Sequence, residues 1–441
     1  MSGEKLIQGF SGMSRDDKLR LAASYAIQPV EFLQQINKLW NPDENENKRY
    51  ATFSENAVSN FYLPYSLAPN FLIDGRKYMI PMVTEESSVV AAASAAAKFW
   101  FTHGGFRTSV DQMIKPGHIH FFWNGEHSVI ESFIQEITPG LYSSAQAIEK
   151  SMRIRGGGIQ SITLVNLTHK LNGYYQIEVL FNTVDAMGAN FVNSCLEQMS
   201  EFMNKQAETA GISGSLDIIM AILSNYTPQC LVHCKVSCPV GELEVNDRGL
   251  SGEAFARRFE AAVLIAQHDI SRAVTHNKGI YNGVDAVIVA TGNDFRAVEA
   301  AGHAWASKEG TYKSLSAVEI SNTSFTLSIS IPLAIGVVGG VTNLHPMAKA
   351  SLQLLGNPSA DRLMSVAASA GLANHFSAVK SLICGGIQKG HMKLHLVNIL
   401  NHLDASEAEK EKAIRYFKLR PVSQRSVREF IDRQRQNKIV P

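Results

Sequence analysis

The stretch between residues 118 and 223 constrains the fold of this chain more than any other. Residues 118–124 alternate, with Ile119, Phe121 and Trp123 on one face, as a half-buried strand does. Residues 126–153 have helical spacing, with an interruption expected at Pro139-Gly140. Gly156-Gly157-Gly158 precede a strand over 159–167, Asn172-Gly173 is a hairpin turn, and 175–181 alternates again. Residues 189–210 carry Val192, Leu196, Met199 and Met203 on one helical stripe, and 216–223 is a last strand. The order β-α-β-β-α-β is the split βαβ, ferredoxin-like arrangement. It marks an inserted domain over residues 112–218.

The flanking sequence reads as a larger body around that insert. Ser14 starts a helix to residue 27, and Pro29 opens another to 40, with Phe32, Ile36 and Trp40 in register. Residues 54–70 are irregular. Asp74-Gly75 turns a hairpin, and a small-residue helix begins at Ser87. Ser251 caps a helix expected to reach Arg272. Residues 316–332 are β-rich, 336–342 form a glycine corner, and helices follow over 346–355 and 360–370. The tail from 385 is helical and charge-dense. The expected fold is α+β. A large mixed α/β domain spans 1–111 and 219–376, the ferredoxin-like domain 112–218, and a small helical C-terminal domain 377–441.

With 441 residues, 45% apolar and 18% charged, the chain fits an ordinary globular protein of two or three domains. Lys+Arg 41 against Asp+Glu 40 leaves a formal charge of +1. That argues against a broad electrostatic grip on nucleic acid or membrane and leaves room for a local basic pocket. Residues 1–17 lack a signal-peptide core, and the apolar stretches at 89–97 and 329–341 fall short of the roughly 20 residues of a membrane span. A cytoplasmic location is the expectation. Cys230, Cys234 and Cys238 resemble a metal cluster, but QCLVHCKVSCPV alternates. The three thiols share one face of a strand, the outer two ~26 Å apart, so a buried core strand is expected and no metal site.

The candidate chemistry lies in residues 272–294. Asn277-Lys278-Gly279 and Asn282-Gly283 are turn signals, and the β-branched run 284–290 predicts a covered strand. Thr291-Gly292-Asn293-Asp294 then turns the chain. A turn lysine and a strand-end aspartate suit a crevice, although an isolated Lys or Asp is ordinarily just solvated. Glu85 and Glu86 stand at a strand-to-helix junction and point apart, so at most one faces a given pocket. No G-x-G-x-x-G follows a strand, and there is no Walker loop. DAMGAN (residues 185–190) sits between a strand and a helix. The helix N-terminus at Gly188 either offers N–H groups to a diphosphate or is a plain cap.

Eleven segments occur in order between residues 55 and 395: ENAVSNFYLPYSLAPNF, PMVTEESSVVAAAS, the triple glycine, DAMGAN, SNY, LSGEA, THNKGIYNG, VATGNDFRAVEA, GVVGGVT, HP and GIQKGHMKLH. Together they resemble class II hydroxymethylglutaryl-CoA reductase, and DAMGAN, THNKG and ATGND are specific in combination. The resemblance implies a two-step hydride reduction of the hydroxymethylglutaryl-CoA (HMG-CoA) thioester to mevalonate and CoA with two NAD(P)H, or the reverse oxidation. It casts Glu86 as proton donor and Lys278 as the ammonium that stabilises the oxyanion. Asp294 would hold that lysine, and His391 would protonate the departing CoA thiolate. Arg272 and Ser88 fall at substrate contacts, with Asn282 beside the lysine. Asp185, Met187, Gly188 and Asn190 of DAMGAN map to cofactor binding. A homodimer or higher oligomer with sites at the dimer interface is also implied.

The chain departs from the family pattern at Ser59, where glycine is usual, at Gly385 for a glutamate, and at Asn374-His375 for a Gln-Asn pair. Those changes bear on substrate contacts. Glu149 falls where NADH-using relatives carry an aspartate, which favours NADH over NADPH, while Lys150, Arg153 and Arg155 beside it suit a 2′-phosphate. His391 and His395 also form an i, i+4 pair, solvated or metal-binding, with no third ligand evident. The rival functions are a CoA- or nucleotide-binding protein without catalysis and a ferredoxin-like RNA-binding module. Tyr174 and Tyr175 suit the latter, but no RNP1-like run accompanies them.

Overall fold

The computed structural model describes residues 6–245, 249–321, 323–384, 396–397, 399–417 and 420–436. Three short helices lead: α1 (Arg15–Ala23), α2 (Pro29–Lys38) and α3 (Glu44–Ala51). The Ser14 hydroxyl accepts from the Asp17 amide and caps α1. The hairpin β1 (Tyr65–Ile73) and β2 (Arg76–Val83) turns at Asp74 and Gly75, both with positive φ. Helix α4 (Val89–Phe101) and strand β3 (Arg107–Val110) follow.

The next unit runs β4 (Ile114–Trp123), α5 (His127–Ile154), β5 (Gly158–Asn166), β6 (Tyr174–Asn182), α6 (Ala189–Thr209) and β7 (Leu216–Leu223). Its sheet is antiparallel throughout, in the order β5-β6-β4-β7, which is the ferredoxin-like order. Ile119, Phe121, Ile177 and Val179 of the sheet pack on Ile134, Leu141, Leu196 and Met199 of the two helices as a separate core. Helix α5 is not interrupted at Pro139-Gly140. Gly140 seats Phe202 of α6, whose ring lies 2.2 Å from where a Cβ would stand, and this packing of α5 on α6 carries the helix through the proline.

The remaining elements are β8 (Leu231–Pro239), α7 (Gly252–His268), α8 (Ile270–Ala290), α9 (Phe295–Ala306), β9 (Ser316–Ile320), β10 (Ser324–Pro332), α10 (Gly340–Leu344), α11 (Pro346–Leu354) and α12 (Ala360–Ile383). A second antiparallel sheet has the order β3-β8-β10-β9. Cys230, Cys234 and Cys238 are buried on one face of the β8 segment, and burial pushes the thiols of Cys234 and Cys238 up to about 12. Among the described residues no three metal-ligating side chains gather, and no helix is long and apolar enough to cross a membrane. Near the C-terminus, α13 (Glu407–Tyr416) and α14 (Gln424–Gln436) close a small third core with Leu400, Ala413, Val427 and Ile431.

Residues 272–290 correct the sequence expectation. They form most of α8, a single helix, with neither the turns nor the strand that were expected. Helix α7 stops at His268, and Asp269 starts α8 by accepting from the Ser271 amide. Ala273, Ile280, Val284 and Val287 are all buried at helical spacing. Gly283, read as part of a turn signal, instead serves helix packing. A Cβ on Gly283 would stand 2.2 Å from the carbonyl oxygen of Ala370, and one on Gly371 would stand 2.7 Å from Val284. Helices α8 and α12 therefore cross nearly backbone to backbone. Helix α12 continues to Ile383, well past the expected end, and is buried around most of its circumference through Met364–Phe376.

On an exposed helix, glycine to alanine adds about 1 kcal/mol of stability. At this crossing the sign reverses: Gly283→Ala is expected to cost about 1–3 kcal/mol by overpacking. A fall in the denaturant midpoint checks this, and a rise would refute the close crossing.

Candidate functional site

A cleft of about 660 Å³ opens between α4, α8 and α12. It collects Glu86 and Ser88 from the β2–α4 junction, Arg272, Lys278 and Asn282 from α8, and Asn374 and His375 from α12. On α8, residues 272, 275, 278 and 282 recur at helical spacing, so one helix face presents Arg272 and Lys278 as the cationic wall. The Lys278 ammonium donates to Glu86 Oε2 at 2.5 Å, bridging the two sides. Ser88 precedes the first turn of α4 with φ 84, a left-handed conformation unusual for serine. Such strain persists where surrounding structure enforces it, and it turns the chain sharply after Glu86. Burial lowers the pKa of Arg272, and among the described residues no carboxylate pairs with its guanidinium. The cleft thus has a charge waiting for an anionic partner.

Asp294 lies elsewhere. Its carboxylate caps α9, accepting from the Arg296 and Ala297 amides, and pairs with the Arg296 guanidinium at 3.1 Å. Burial pushes this carboxyl up, but the Arg296 side chain and the two amides outweigh it and hold it below the usual range. At about 1.5 Å per residue, α8 from Lys278 to Ala290 alone spans ~18 Å. Within one chain Asp294 therefore does not reach Lys278: Glu86 pairs with the lysine, and Asp294 stands beyond the far end of the helix. His391 and Gly385 lie outside the described residues.

The DAMGAN turn sits at the Asp294 end. Asn293 Oδ1 accepts from the Gly336 amide, and a Cβ on Gly336 would stand 2.3 Å from the Met187 nitrogen. Asp185 is committed to structure: its carboxylate accepts from the Ala360 amide at the start of α12, and its carbonyl from the Val337 amide. Gly188, with φ 89, is the N-cap of α6 and offers no side chain to the first N–H groups, while Asn190 is exposed. An uncapped N-terminus of a long helix fits an anionic diphosphate.

Glu149 does not stand as the sequence reading placed it. It is 1% exposed, accepts from the Ile159 amide at 2.6 Å and pairs with Arg153 at 2.9 Å. Gly158 faces its carboxylate so closely that a Cβ would stand 2.3 Å from Oε1. A carboxylate sealed and neutralised in this way presents no charge to a ribose.

A polar group not singled out in the sequence underlies the cleft. His276 and His375 both direct Nε2 at the Ser316 hydroxyl, at 2.8 and 2.9 Å, with ring centroids 4.3 Å apart. Among the described residues their buried Nδ1 atoms have no partner. His375 had been noted as a departure, but its link to His276 through a β9 serine is a tertiary relation that no spacing signals.

A family model described as hydroxymethylglutaryl-coenzyme A reductase matches residues 24–396. A 3-hydroxy-3-methylglutaryl-coenzyme A reductase of Archaeoglobus fulgidus is 34% identical over 92% of this chain and 89% of its own length. A probable reductase of the same name from Borreliella burgdorferi is 31% identical over 82% of this chain and 81% of its own. Among solved structures, a 3-hydroxy-3-methylglutaryl-coenzyme A reductase of Streptococcus pneumoniae superposes with a TM-score of 0.71 at 32% identity, covering 97% of this chain and 99% of that one. The class II enzyme of that organism bound to NADPH also gives 0.71, at 33% identity, over 85% of this chain and 99% of that one.

Burial, and after it the Arg272 charge, pushes His276 down to about 3, and burial holds His375 well below the ordinary value. In the unfolded chain both bind protons near pH 6.5, so below that pH the unfolded state holds more protons than the native one. Stability is full above about pH 6.5 and falls as the pH drops toward 3. Between pH 6.5 and 5, His375→Asn is expected to flatten the fall by up to about 1.4 kcal/mol per pH unit. Unfolding curves at stepped pH check this, and an unchanged slope contradicts a neutral buried His375.

Proposed function

This chain belongs to the hydroxymethylglutaryl-CoA reductase family, class II type, and we propose that it reduces the HMG-CoA thioester to mevalonate and CoA with two NAD(P)H, or runs the reverse oxidation. The observation that carries this reading is the Glu86–Lys278 pair at the edge of a cleft that also holds Arg272, which has no carboxylate partner among the described residues. Arg272 and Ser88 receive the anionic acyl end of the substrate, and Asn282 lies beside the reacting carbonyl. The dinucleotide supplies hydride. Each hydride delivered to the acyl carbon leaves negative charge on its oxygen, and the Lys278 ammonium stabilises it. Glu86, hydrogen-bonded to that ammonium, passes the proton the oxygen requires. His391 is assigned the proton for the CoA thiolate. The βαββαβ unit would hold the cofactor, with Gly188 and Asn190 at its diphosphate and with Asp185 and Met187 shaping the turn. Lys278→Ala is expected to abolish hydride transfer while leaving the unfolding transition in place. Following reduced-nicotinamide absorbance with HMG-CoA checks this, and undiminished turnover in the variant would sink the assignment.

The preference for NADH loses its basis when Glu149 is buried against Arg153. A carboxylate in that state neither binds a 2′-hydroxyl nor repels a 2′-phosphate, whereas Lys150, Arg153 and Arg155 leave the local charge positive. The proposed cofactor is NADPH, with NADH as the weaker alternative. The same assay run with each cofactor is expected to give a higher kcat/KM for NADPH, and the reverse order restores the earlier preference. A cytoplasmic location is kept as part of the proposal.

The geometry within one chain separates Lys278 and Glu86 from Asp294 and DAMGAN by the length of α8. A two-fold homodimer unites them if Asp294 and the cofactor of one copy face the cleft of the other. Mixing inactive Lys278→Ala and Asp294→Asn variants is then expected to restore about a quarter of wild-type turnover, since random pairing makes half the dimers mixed and leaves one intact site in each. No recovery after dissociation and mixing argues for a site built from one chain.

A further inference from the structure

Lys115 on β4 is 3% exposed, yet no carboxylate pairs with it among the described residues. Its ammonium donates only to neutral oxygens, the Thr183 hydroxyl at 2.5 Å and the Ala186 carbonyl at 2.7 Å, both in the turn that leads to Gly188. A buried charge without a counter-charge is costly, and an apolar residue of the same length would stabilise the empty fold at least as well. The same place holds a second anomaly. Thr227, just past β7, is 2% exposed, and among the described residues its hydroxyl has no partner. Lys115, Thr227, Gly188 and Ala189 line one small cavity of about 10 Å³, which Ala297 of α9 borders. That space admits a single water-sized atom. The uncapped N-terminus of α6 opens onto it.

We infer that Lys115 and Thr227 complete an anion-binding site at the start of α6, which takes one charged oxygen of the dinucleotide diphosphate. This rests on the reading of DAMGAN as the cofactor turn. Thr227 donates its free hydroxyl to the oxygen. Lys115 is chiefly a positioning residue: it holds Ala186 and Thr183 so that Gly188 presents the α6 amides, and its charge offsets that of the diphosphate. Burial lowers the lysine toward about 8, as expected of an ammonium still waiting for its counter-charge.

The full-length protein is titrated with NADPH by cofactor fluorescence as wild type, Thr227→Val and Lys115→Met. Valine matches threonine in shape and removes a hydroxyl that has no partner among the described residues, so the unfolding midpoint without cofactor is expected to hold or rise. The NADPH Kd is expected to weaken roughly tenfold in Thr227→Val and at least as much in Lys115→Met, with kcat at saturation within about twofold of wild type. Inorganic pyrophosphate is expected to compete with NADPH in the wild type and to lose that competition in both variants. Wild-type Kd values in Thr227→Val overturn the inference, whether or not Lys115→Met folds. A pyrophosphate effect that leaves NADPH affinity untouched overturns it too, by marking a site for free anions alone. Failure of the wild type to bind NADPH at all would instead defeat the reading of DAMGAN.

Discussion

The contact between α8 and α12 at Gly283 and Gly371 leaves no room for a Cβ on either side, and the cleft is shaped by that approach. A helix that carries Arg272, Lys278 and Asn282 toward solvent has to bury its other face firmly. Here α12 supplies the opposing surface, with small residues along most of its length. Close approach also puts Asn374 and His375 at the base of the cleft, and it fixes His276 against Ser316. The two glycines lower the intrinsic helix propensity of both segments. Packing repays that loss, because helix stability in a folded protein comes mainly from tertiary burial.

The same helix sets the distance between the two halves of the chemistry. Its N-terminal part bears the cationic wall and meets Glu86. Its C-terminus hands the chain to Asp294 and to the corner that touches the DAMGAN turn through Gly336. That turn is held by contacts from outside its own unit: Val337 and Ala360 amides on Asp185, and the Gly336 backbone against Met187. From within the unit, Lys115 holds Ala186. A rigid turn presents its helix N-terminus without further ordering when an anion arrives, which lowers the entropic cost of binding.

Polar burial in this protein falls into two kinds. Glu149 is satisfied by an amide and a guanidinium and belongs to the structure of the βαββαβ unit. Thr227 and the Nδ1 atoms of His276 and His375 are buried without partners among the described residues. Unpaired buried groups are costly, and these three, out of eight such atoms among the described residues, lie on the linings of the two cavities that flank the proposed chemistry.

Much was legible in the residues alone. Alternation along 118–124 and 175–181, with two helical stripes between strands, determined the βαββαβ unit, because its side-chain periods follow directly from backbone geometry. Parity along 230–238 determined that the cysteines are core. Glu86, Ser88, Arg272, Lys278 and Asn282 were implied by the family resemblance rather than by the residues alone, and the fold brings these five to one cleft. Only tertiary structure decided the rest. Glycine and β-branched residues in 272–290 signal turn and strand by local propensity, and burial against α12 overrode both. The resemblance places Glu149 where NADH-using relatives carry an aspartate, and nothing local shows that Gly158 and Arg153 enclose it. Glu86 is 192 residues from Lys278 in sequence, and Asp294 is 16, yet the remote residue is the partner. A straight helix carries neighbours in sequence apart, and a packed fold brings distant ones together.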